Sequence, residues 1–158
     1  MKKYLATCLL ASQFFNLAIA HDGPHGPEIN DGGKFGGQVV AAIILEKEEG
    51  HKGHDHKNEK APEVKYKVEF VRDDAQMVKA YLYDTKMKTI SLDNFPKQIE
   101  AVFETNKKGK KEAQSFKLEK KNNRYEGQGP KPKSRPFAIE IQFTADGENY
   151  FAGLENQD

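Results

Sequence analysis

The sequence predicts an all-β fold, a single antiparallel β-sandwich of the immunoglobulin-like kind with about seven strands. Apolar residues recur at every second position through most of the chain from Val64 onward, and side chains alternate between the two faces of a strand. Turn-forming residues separate these runs at fairly even intervals, and no long stretch carries a helical stripe. A small barrel would suit the same pattern, but several strands have three or four inward residues, which favours two packed sheets.

The N-terminus has the pattern of a secretory signal peptide. Lys2 and Lys3 precede an apolar run, and Ala18 and Ala20 form a small-x-small cleavage site before a polar stretch. Polar residues interrupt the run, which is too short for a membrane span. We therefore expect residues 1–20 to be removed on export to the periplasm, leaving a mature chain without a membrane span. An uncleaved N-terminal anchor is the alternative.

Charge and cysteine content narrow the function classes. The 158 residues are 31% charged, yet the net charge is only +1, which argues against a nucleic-acid binder that relies on a basic excess. Lys and Glu on the outer faces of a sheet explain this balance and discourage edge-to-edge pairing. Cleavage would also remove Cys8, the only cysteine, so the mature chain would have neither a disulfide nor a thiolate ligand.

The mature chain divides into three parts. Residues 21–37 form a Gly- and His-rich leader with too few large apolar residues for a core, and we expect it to be flexible. Residues 38–154 form one sandwich domain, whose first strand is the continuous apolar run 38–45. Residues 46–62 are charged and His-rich, and they are predicted to be an exposed insertion between two strands.

The remaining strands follow from alternation. In the second strand Lys65, Lys67 and Glu69 alternate with apolar residues, which assigns them to the wet face. The apolar rows are Tyr66 to Phe70, Val78 to Leu82, Ile99 to Phe103, Phe116 to Leu118, Phe137 to Phe143 and Tyr150 to Leu154. Turn chemistry marks Asp73-Asp74, Asp84 to Lys86, Asn106 to Gly109, Asn122-Asn123, Gly129-Pro130 and Asp146-Gly147. Residues 86–95 are predicted to be irregular.

The histidines carry the chemical signal, because all five lie outside the predicted strands. His51, His54, Asp55 and His56 place three imidazoles and a carboxylate within six residues. Gly50 and Gly53 are on either side of His51 to Lys52 and allow the rings to converge. Imidazole suits Cu, Zn and Ni, although the spacing matches no structural zinc motif. A solvated low-complexity segment without a ligand is the alternative.

A second candidate site lies at the expected new N-terminus. Cleavage after Ala20 would make His21 the first residue, with its α-amine and a ring nitrogen available to chelate one metal ion. Copper(II) favours such nitrogen-rich sets, and His25 can add a further ligand. An accidental N-terminal histidine in a disordered leader is the alternative, since this site depends on the cleavage position.

Short motifs resemble those of a known group. Phe35-Gly36-Gly37-Gln38-Val39-Val40, Tyr66 to Val71 and Ala80 to Asp84 resemble small periplasmic β-sandwich proteins, which are similar to segments that accompany adaptor subunits of heavy-metal efflux systems. The resemblance extends over residues 35–154 and implies the sandwich fold and the envelope location. It implies no site residue, because these proteins commonly have His where this chain has Phe35.

Two functions follow as hypotheses. The first is an exported periplasmic metal-binding protein of the Cu, Zn or Ni class, acting as a buffer, a chaperone or an accessory to heavy-metal efflux. The second is a non-catalytic envelope interaction module, with an efflux adaptor as its partner and incidental His-rich loops. We do not expect an enzyme, because Ser91, Ser115 and Ser134 have no histidine partner in a recognisable motif.

Overall fold

The computed structural model describes residues 32–45, 63–107, 110–131 and 137–156. These residues contain eight β-strands and no helix, so the all-β prediction is confirmed. No helix among them is long and apolar enough to cross a membrane. The strands are β1 (Gln38–Ile44), β2 (Tyr66–Arg72), β3 (Met77–Asp84), β4 (Gln98–Lys107), β5 (Lys110–Lys121), β6 (Arg124–Gln128), β7 (Phe137–Ala145) and β8 (Glu148–Asn156).

The strands form one closed antiparallel barrel, so the predicted immunoglobulin-like sandwich is wrong. The order around the barrel is β1-β2-β3-β6-β5-β4-β7-β8, and β8 returns to β1. β1 makes this closure by changing partner along its length. Gln38 to Ala42 pair with β2, whereas Ile43 and Ile44 pair with Phe151 and Tyr150 of β8. A sandwich would leave these two strands at free edges, but here the first and last strands close the sheet.

The barrel interior is filled by the inward row of each strand. β7 shows the alternation most clearly, since Phe137, Ile139, Ile141 and Phe143 are buried and Gln142 is exposed. The same core includes buried residues from six other strands, namely Val68, Ala80, Leu82, Ala101, Leu118, Tyr125 and Ala152. An eight-stranded barrel is just wide enough for its own side chains, and the described core side chains pack together inside this one.

One end of the barrel, here called the plugged end, is covered by the connection from β3 to β4. Leu92 is buried there, and Phe95 packs edge-on against Tyr66 at 5.9 Å between ring centres. Lys120 Nζ donates to the carbonyl oxygens of Leu92 and Phe95 at 2.9 and 3.2 Å. The Tyr125 hydroxyl donates to the carbonyl oxygen of Pro96 at 2.7 Å. Side chains therefore hold an irregular segment over the core.

The opposite end, here called the mouth, is where β1 begins and β8 ends. A cleft of about 410 Å³ opens there between the starts of β1 and β7 and the end of β2. Phe103 and Phe137 stack beneath it with ring centres 5.0 Å apart. The two ends of the barrel thus differ, since one is plugged and the other carries a concave surface.

The alternation predicted most strand positions correctly but missed one strand. The turns at Asp84 to Lys86, Asn122-Asn123 and Asp146-Gly147 are where the sequence indicates them. β6 was not predicted, because only Tyr125 among its five residues is buried and Gly127 interrupts the pattern. A Cβ at Gly127 would overlap the carbonyl oxygen of Lys117, so glycine is needed for β6 to approach β5.

Candidate functional site

The six residues predicted to bind metal, His21, His25, His51, His54, Asp55 and His56, lie outside the described residues. The structure therefore brings none of them together and separates none of them. Within residues 32–45, 63–107, 110–131 and 137–156, no group of three or more His, Cys, Asp or Glu side chains is placed to hold a metal ion. The described geometry instead defines three polar features around the barrel.

The first feature is a carboxylate clamp on the outer surface, formed by Glu69 of β2 and the turn that precedes β1. Glu69 Oε1 accepts the backbone N–H groups of Phe35 and Gly37, both at 2.8 Å. Its Oε2 accepts the N–H of Lys34 at 3.0 Å and the hydroxyl of Tyr83 at 2.6 Å. Four donors therefore converge on one side chain that is 0% exposed.

Local sequence explains why the turn can reach the carboxylate. Gly36 has a φ of 79°, a conformation that costs glycine nothing. A Cβ at Gly33 would overlap Glu69 Oε1, and one at Gly37 would overlap the carbonyl oxygen of Phe70. The glycines therefore let the backbone N–H groups of residues 34, 35 and 37 close around the carboxylate, an arrangement that suits a negative charge.

The clamp also orders aromatic rings on the outer face of β3. The Phe35 ring stacks on that of Tyr81, with centres 4.0 Å apart and planes 16° from parallel, and Phe35 remains 53% exposed. Lys34 Nζ lies 5.3 Å from the centre of the Tyr83 ring. Burial, and next the hydrogen bond to Glu69, raise the pKa of the Tyr83 phenol well above its usual range. The phenol is thus held neutral as a donor.

The alternation predicts that Glu69 lies on the solvent-exposed face of β2. This is wrong, because the Glu69 side chain is buried. Glu69 does point away from the barrel interior, because Val68 and Phe70 on either side of it belong to the core. The turn at 33–37 then covers it from outside. The signal that could have revealed this is the run of glycines before β1, which provides backbone donors close to an acidic residue.

The second feature is the mouth. The Arg72 guanidinium carbon lies 5.0 Å from the centre of the Phe137 ring and 5.2 Å from that of Phe103. Its Nη2 donates to the carbonyl oxygen of Pro130 at 3.0 Å and to Gln76 Oε1. Sequence reasoning did not single out Arg72, because a charged residue at a strand end carries no signal until the rings beneath it are known.

The third feature is a ring of polar side chains at the plugged end. The Tyr66 hydroxyl donates to Asp146 at 2.7 Å, and burial together with this bond raises the pKa of Tyr66 to about 12. Glu148 accepts from Lys65 Nζ at 3.0 Å and from the Tyr150 hydroxyl at 2.9 Å. These bonds lower the pKa of Glu148. They tie the start of β2 to the β7–β8 hairpin.

Fold and site together define a small closed antiparallel barrel with a filled interior, one plugged end and one open mouth. No family model, curated protein or solved structure matches the chain. The resemblance to periplasmic β-sandwich proteins and efflux-associated segments therefore stays a prediction.

Proposed function

We propose that this protein is an exported, periplasmic metal-binding protein that takes a Cu, Zn or Ni ion through imidazole ligands. The observation that carries the proposal is the grouping of His51, His54 and His56 with Asp55 in six residues between β1 and β2. Imidazole nitrogen is a ligand that all three metals accept. His21 and His25 form the second ligand group. The role that fits is a buffer, a chaperone or an accessory to heavy-metal efflux.

The barrel supports this proposal as a scaffold that needs no histidine. Its hydrophobic core is made of apolar and tyrosine side chains, and none of the described residues is a histidine. Both roots of the 46–62 segment are pinned at the plugged end. Leu45 N–H donates to the carbonyl oxygen of Asn149 at 2.9 Å, and Lys65 bonds Glu148. A segment tethered at two fixed points has less conformational freedom to lose when it wraps a metal ion.

The clamp at Glu69 supports the leader site in the same way. Residues 34, 35 and 37 are bound to the barrel by three backbone hydrogen bonds. His25 lies nine residues before Lys34, so an extended chain keeps it within about 30 Å of the clamp. Chain length therefore keeps His21 and His25 near the barrel of their own molecule, whatever conformation the leader adopts.

Metal titration of the exported protein tests the proposal. We expect Cu(II), Zn(II) or Ni(II) to bind the protein more tightly than the same ion binds free histidine. Calorimetry in competition with a chelator measures this affinity. Replacing His51, His54 and His56 with Ala should remove the stronger site. A matched variant with Lys52 and Lys57 replaced by Ala changes the same segment and should bind as wild type. Equal affinity for the protein and free histidine would refute metal binding.

The leader site needs its own experiment, since it depends on cleavage. Mass analysis of the exported protein should show His21 as the first residue, with a free α-amine. Acetylating that amine, or replacing His21 with Ala, should weaken Cu(II) binding at the leader and leave the 51–56 site unchanged. A first residue other than His21 would remove the amine-imidazole chelate from the proposal.

An interaction module is a second candidate, favoured by Phe35. This ring is the one large apolar side chain that is exposed among the described residues, and Tyr81 and the clamp hold it in place. Rigid aromatic side chains are common anchors at protein interfaces. An efflux adaptor retained at a fixed stoichiometry after all five histidines are replaced by Ala would favour this function. If the adaptor is no longer retained when the five histidines are replaced, metal binding is favoured.

A further inference from the structure

β5 is longer than the strand that lies beside it on one side. On the β4 side it is paired from Lys110 to Glu119 without interruption. On the other side β6 pairs only with Glu119, Lys120 and Lys121. Among the described residues no strand pairs with residues 110–116 on that side, and this stretch is here called the β5 edge. The barrel is closed in its strand order, but the sheet is left open along the β5 edge.

The chain after β6 turns inward instead of continuing along the β5 edge. Gly129-Pro130 follows β6, and proline cannot donate to a sheet ladder. A Cβ at Gly129 would lie 3.7 Å from the Phe116 ring, which packs against the core. Lys131 then lines a small cavity with Phe103 and Thr105, which are both buried. The described part of this connection therefore crosses the inner face of the β4–β5 hairpin.

Strand geometry identifies the backbone groups that the β5 edge leaves unpaired. Lys121 and Arg124 face each other across a two-residue turn, and such a closing pair is hydrogen-bonded, so Lys121 points its backbone groups toward β6. Alternate residues of an unbroken strand point the same way, which assigns the N–H and C=O groups of Lys111, Ala113 and Ser115 to the side away from β4. These groups meet no strand in the described part of the chain. Unpaired rows of this kind bind an added extended chain.

The side chains along the β5 edge define what such a chain carries. Leu118 faces the core, so Lys111, Ala113, Ser115 and Lys117 lie on the outer face, and all four are exposed. The small side chains of Ala113 and Ser115 leave room for large ones on an added strand. The lysines on either side, six residues or about 20 Å apart, favour acidic residues directly opposite them.

The carboxylates nearby do not remove this preference. Glu100 and Glu104 of β4 share the outer face, but they lie on the far side of β5 from an added strand, about 10 Å away instead of about 5 Å. Within the described residues neither Lys111 nor Lys117 forms an ion pair. Lys110 adds another positive charge at the same end as Lys111. An acidic strand therefore meets lysine first.

A second copy of the chain fits the β5 edge less well than an acidic strand. Antiparallel pairing of two copies about Ala113 would use all the unpaired groups, but it would bring Lys110 and Lys111 of one copy close to Lys117 of the other. Like charges on neighbouring strands are destabilising. Lysines on an edge strand commonly prevent such self-pairing.

We infer that the β5 edge binds an extended acidic segment of a partner protein by strand addition. The partner backbone pairs with Lys111, Ala113 and Ser115. Its acidic residues lie opposite Lys111 and Lys117, with large apolar side chains between them. The site uses neither a histidine nor Phe35, so it is independent of both proposed functions.

Three fluorescein-labelled peptides test the inference on the whole exported chain kept free of metal with EDTA. The first, Glu-Thr-Val-Thr-Val-Thr-Glu, places its acidic residues six apart; the second has Lys at both ends; the third repeats the first with both Val nitrogens methylated. Fluorescence anisotropy should show the acidic peptide binding about tenfold more tightly than the lysine peptide. The methylated peptide should not bind, because it keeps the charge but loses two backbone donors. Equal affinity for any two of the three would overturn the inference.

Amide hydrogen exchange locates the bound peptide. The acidic peptide should slow exchange at Lys111, Ala113 and Ser115 and leave Gln114 unchanged, since the Gln114 N–H points toward β4. If the three amides are already protected without peptide, the edge is occupied by the chain itself or by a second copy, and the inference fails.

Variants separate the backbone ladder from the charges. Ala113→Pro removes an edge N–H and no bond to β4, and it should weaken the acidic peptide at least tenfold. Ala113→Ser keeps the N–H and is the matched control. The double variant Lys111→Glu with Lys117→Glu should reverse the preference toward the lysine peptide, which tests the site even if Ala113→Pro does not fold. Undiminished binding by Ala113→Pro, or an unchanged preference in the double variant, contradicts the assignment.

Discussion

Replacing Glu69 with Gln should destabilise the protein, because the buried carboxylate accepts four hydrogen bonds through two oxygens. The amide of Gln keeps one acceptor and turns an NH₂ group toward two donors. Each bond to a charged group contributes about 1.5–3 kcal/mol, so losing two costs ~3–6 kcal/mol. The Tyr83 hydroxyl can rotate and accept from the amide, which returns part of this loss. We expect a net decrease of about 3 kcal/mol in the free energy of unfolding.

Urea denaturation followed by far-UV circular dichroism measures this effect through the transition midpoint at constant slope. Glu100→Gln is the matched control, because Glu100 is an exposed residue of β4 and its replacement should change stability by less than about 0.5 kcal/mol. Amide hydrogen exchange supplies a local readout, since the N–H groups of Lys34, Phe35 and Gly37 should lose protection in Glu69→Gln. If the two variants unfold at the same midpoint and the three amides stay protected, the clamp does not stabilise the fold.

Three further predictions concern β6, the plug and the tyrosines. Gly127→Ala should destabilise by about 2 kcal/mol, since its Cβ meets backbone of β5. Gly147→Ala is the comparison, because a Cβ at Gly147 meets no atom and only its φ of 79° is unfavourable; it should cost about 1 kcal/mol. Equal losses of stability in the two variants, measured by urea denaturation, would contradict the close approach of β6 to β5 at Gly127. Leu92→Ala should cost ~2–5 kcal/mol because Leu92 is buried in the plug, and a midpoint shift worth under about 1 kcal/mol would show that the plug repacks freely. Burial raises the pKa of Tyr66 and Tyr125 to about 12, so the contribution of these two tyrosines to stability should be constant below about pH 10 and fall as the pH rises from about 10 toward 12, because the unfolded chain ionises first. Absorbance at 295 nm (phenolate) should therefore rise together with unfolding, and titration of all tyrosines near pH 10 in the folded protein would refute this.

Most strands could be predicted because the alternation of their inward-facing apolar residues is visible in the sequence. Phe137, Ile139, Ile141 and Phe143 alternate with polar or small residues, and burial on one face of a strand requires that spacing. β6 could not be predicted, because its position depends on a close approach to β5 at Gly127 that no periodicity records.

Barrel closure could not be predicted for a different reason. Alternation identifies which face of a strand is buried but not which strand lies beside it. Pairing of Ile43 with Phe151 joins the first strand to the last, across most of the chain. Sandwich and barrel share the same pattern in sequence, and only this long-range ladder separates them.

The candidate sites divide in the same way. The histidine clusters are visible in sequence because their chemistry lies in residue type and local spacing, and they remain a hypothesis about the 21–25 and 51–56 segments. The Glu69 clamp and the Arg72 cleft are invisible in sequence, since each joins residues from separate strands and turns. The sequence alone assigns Glu69 to the solvent-exposed face of β2. Its burial is seen only once the turn at 33–37 is placed over it.

The sequence by itself determined the all-β class, most strand positions and the absence of histidine from the eight described strands. These properties are local, because they depend on residue type and on the two-residue period of an extended backbone. The tertiary structure alone decided that the sheet closes on itself, that one end is plugged, that the Glu69 carboxylate is buried under a turn, and that the Arg72 guanidinium stacks on two rings. Those outcomes depend on contacts between residues far apart in the chain, which no local pattern encodes.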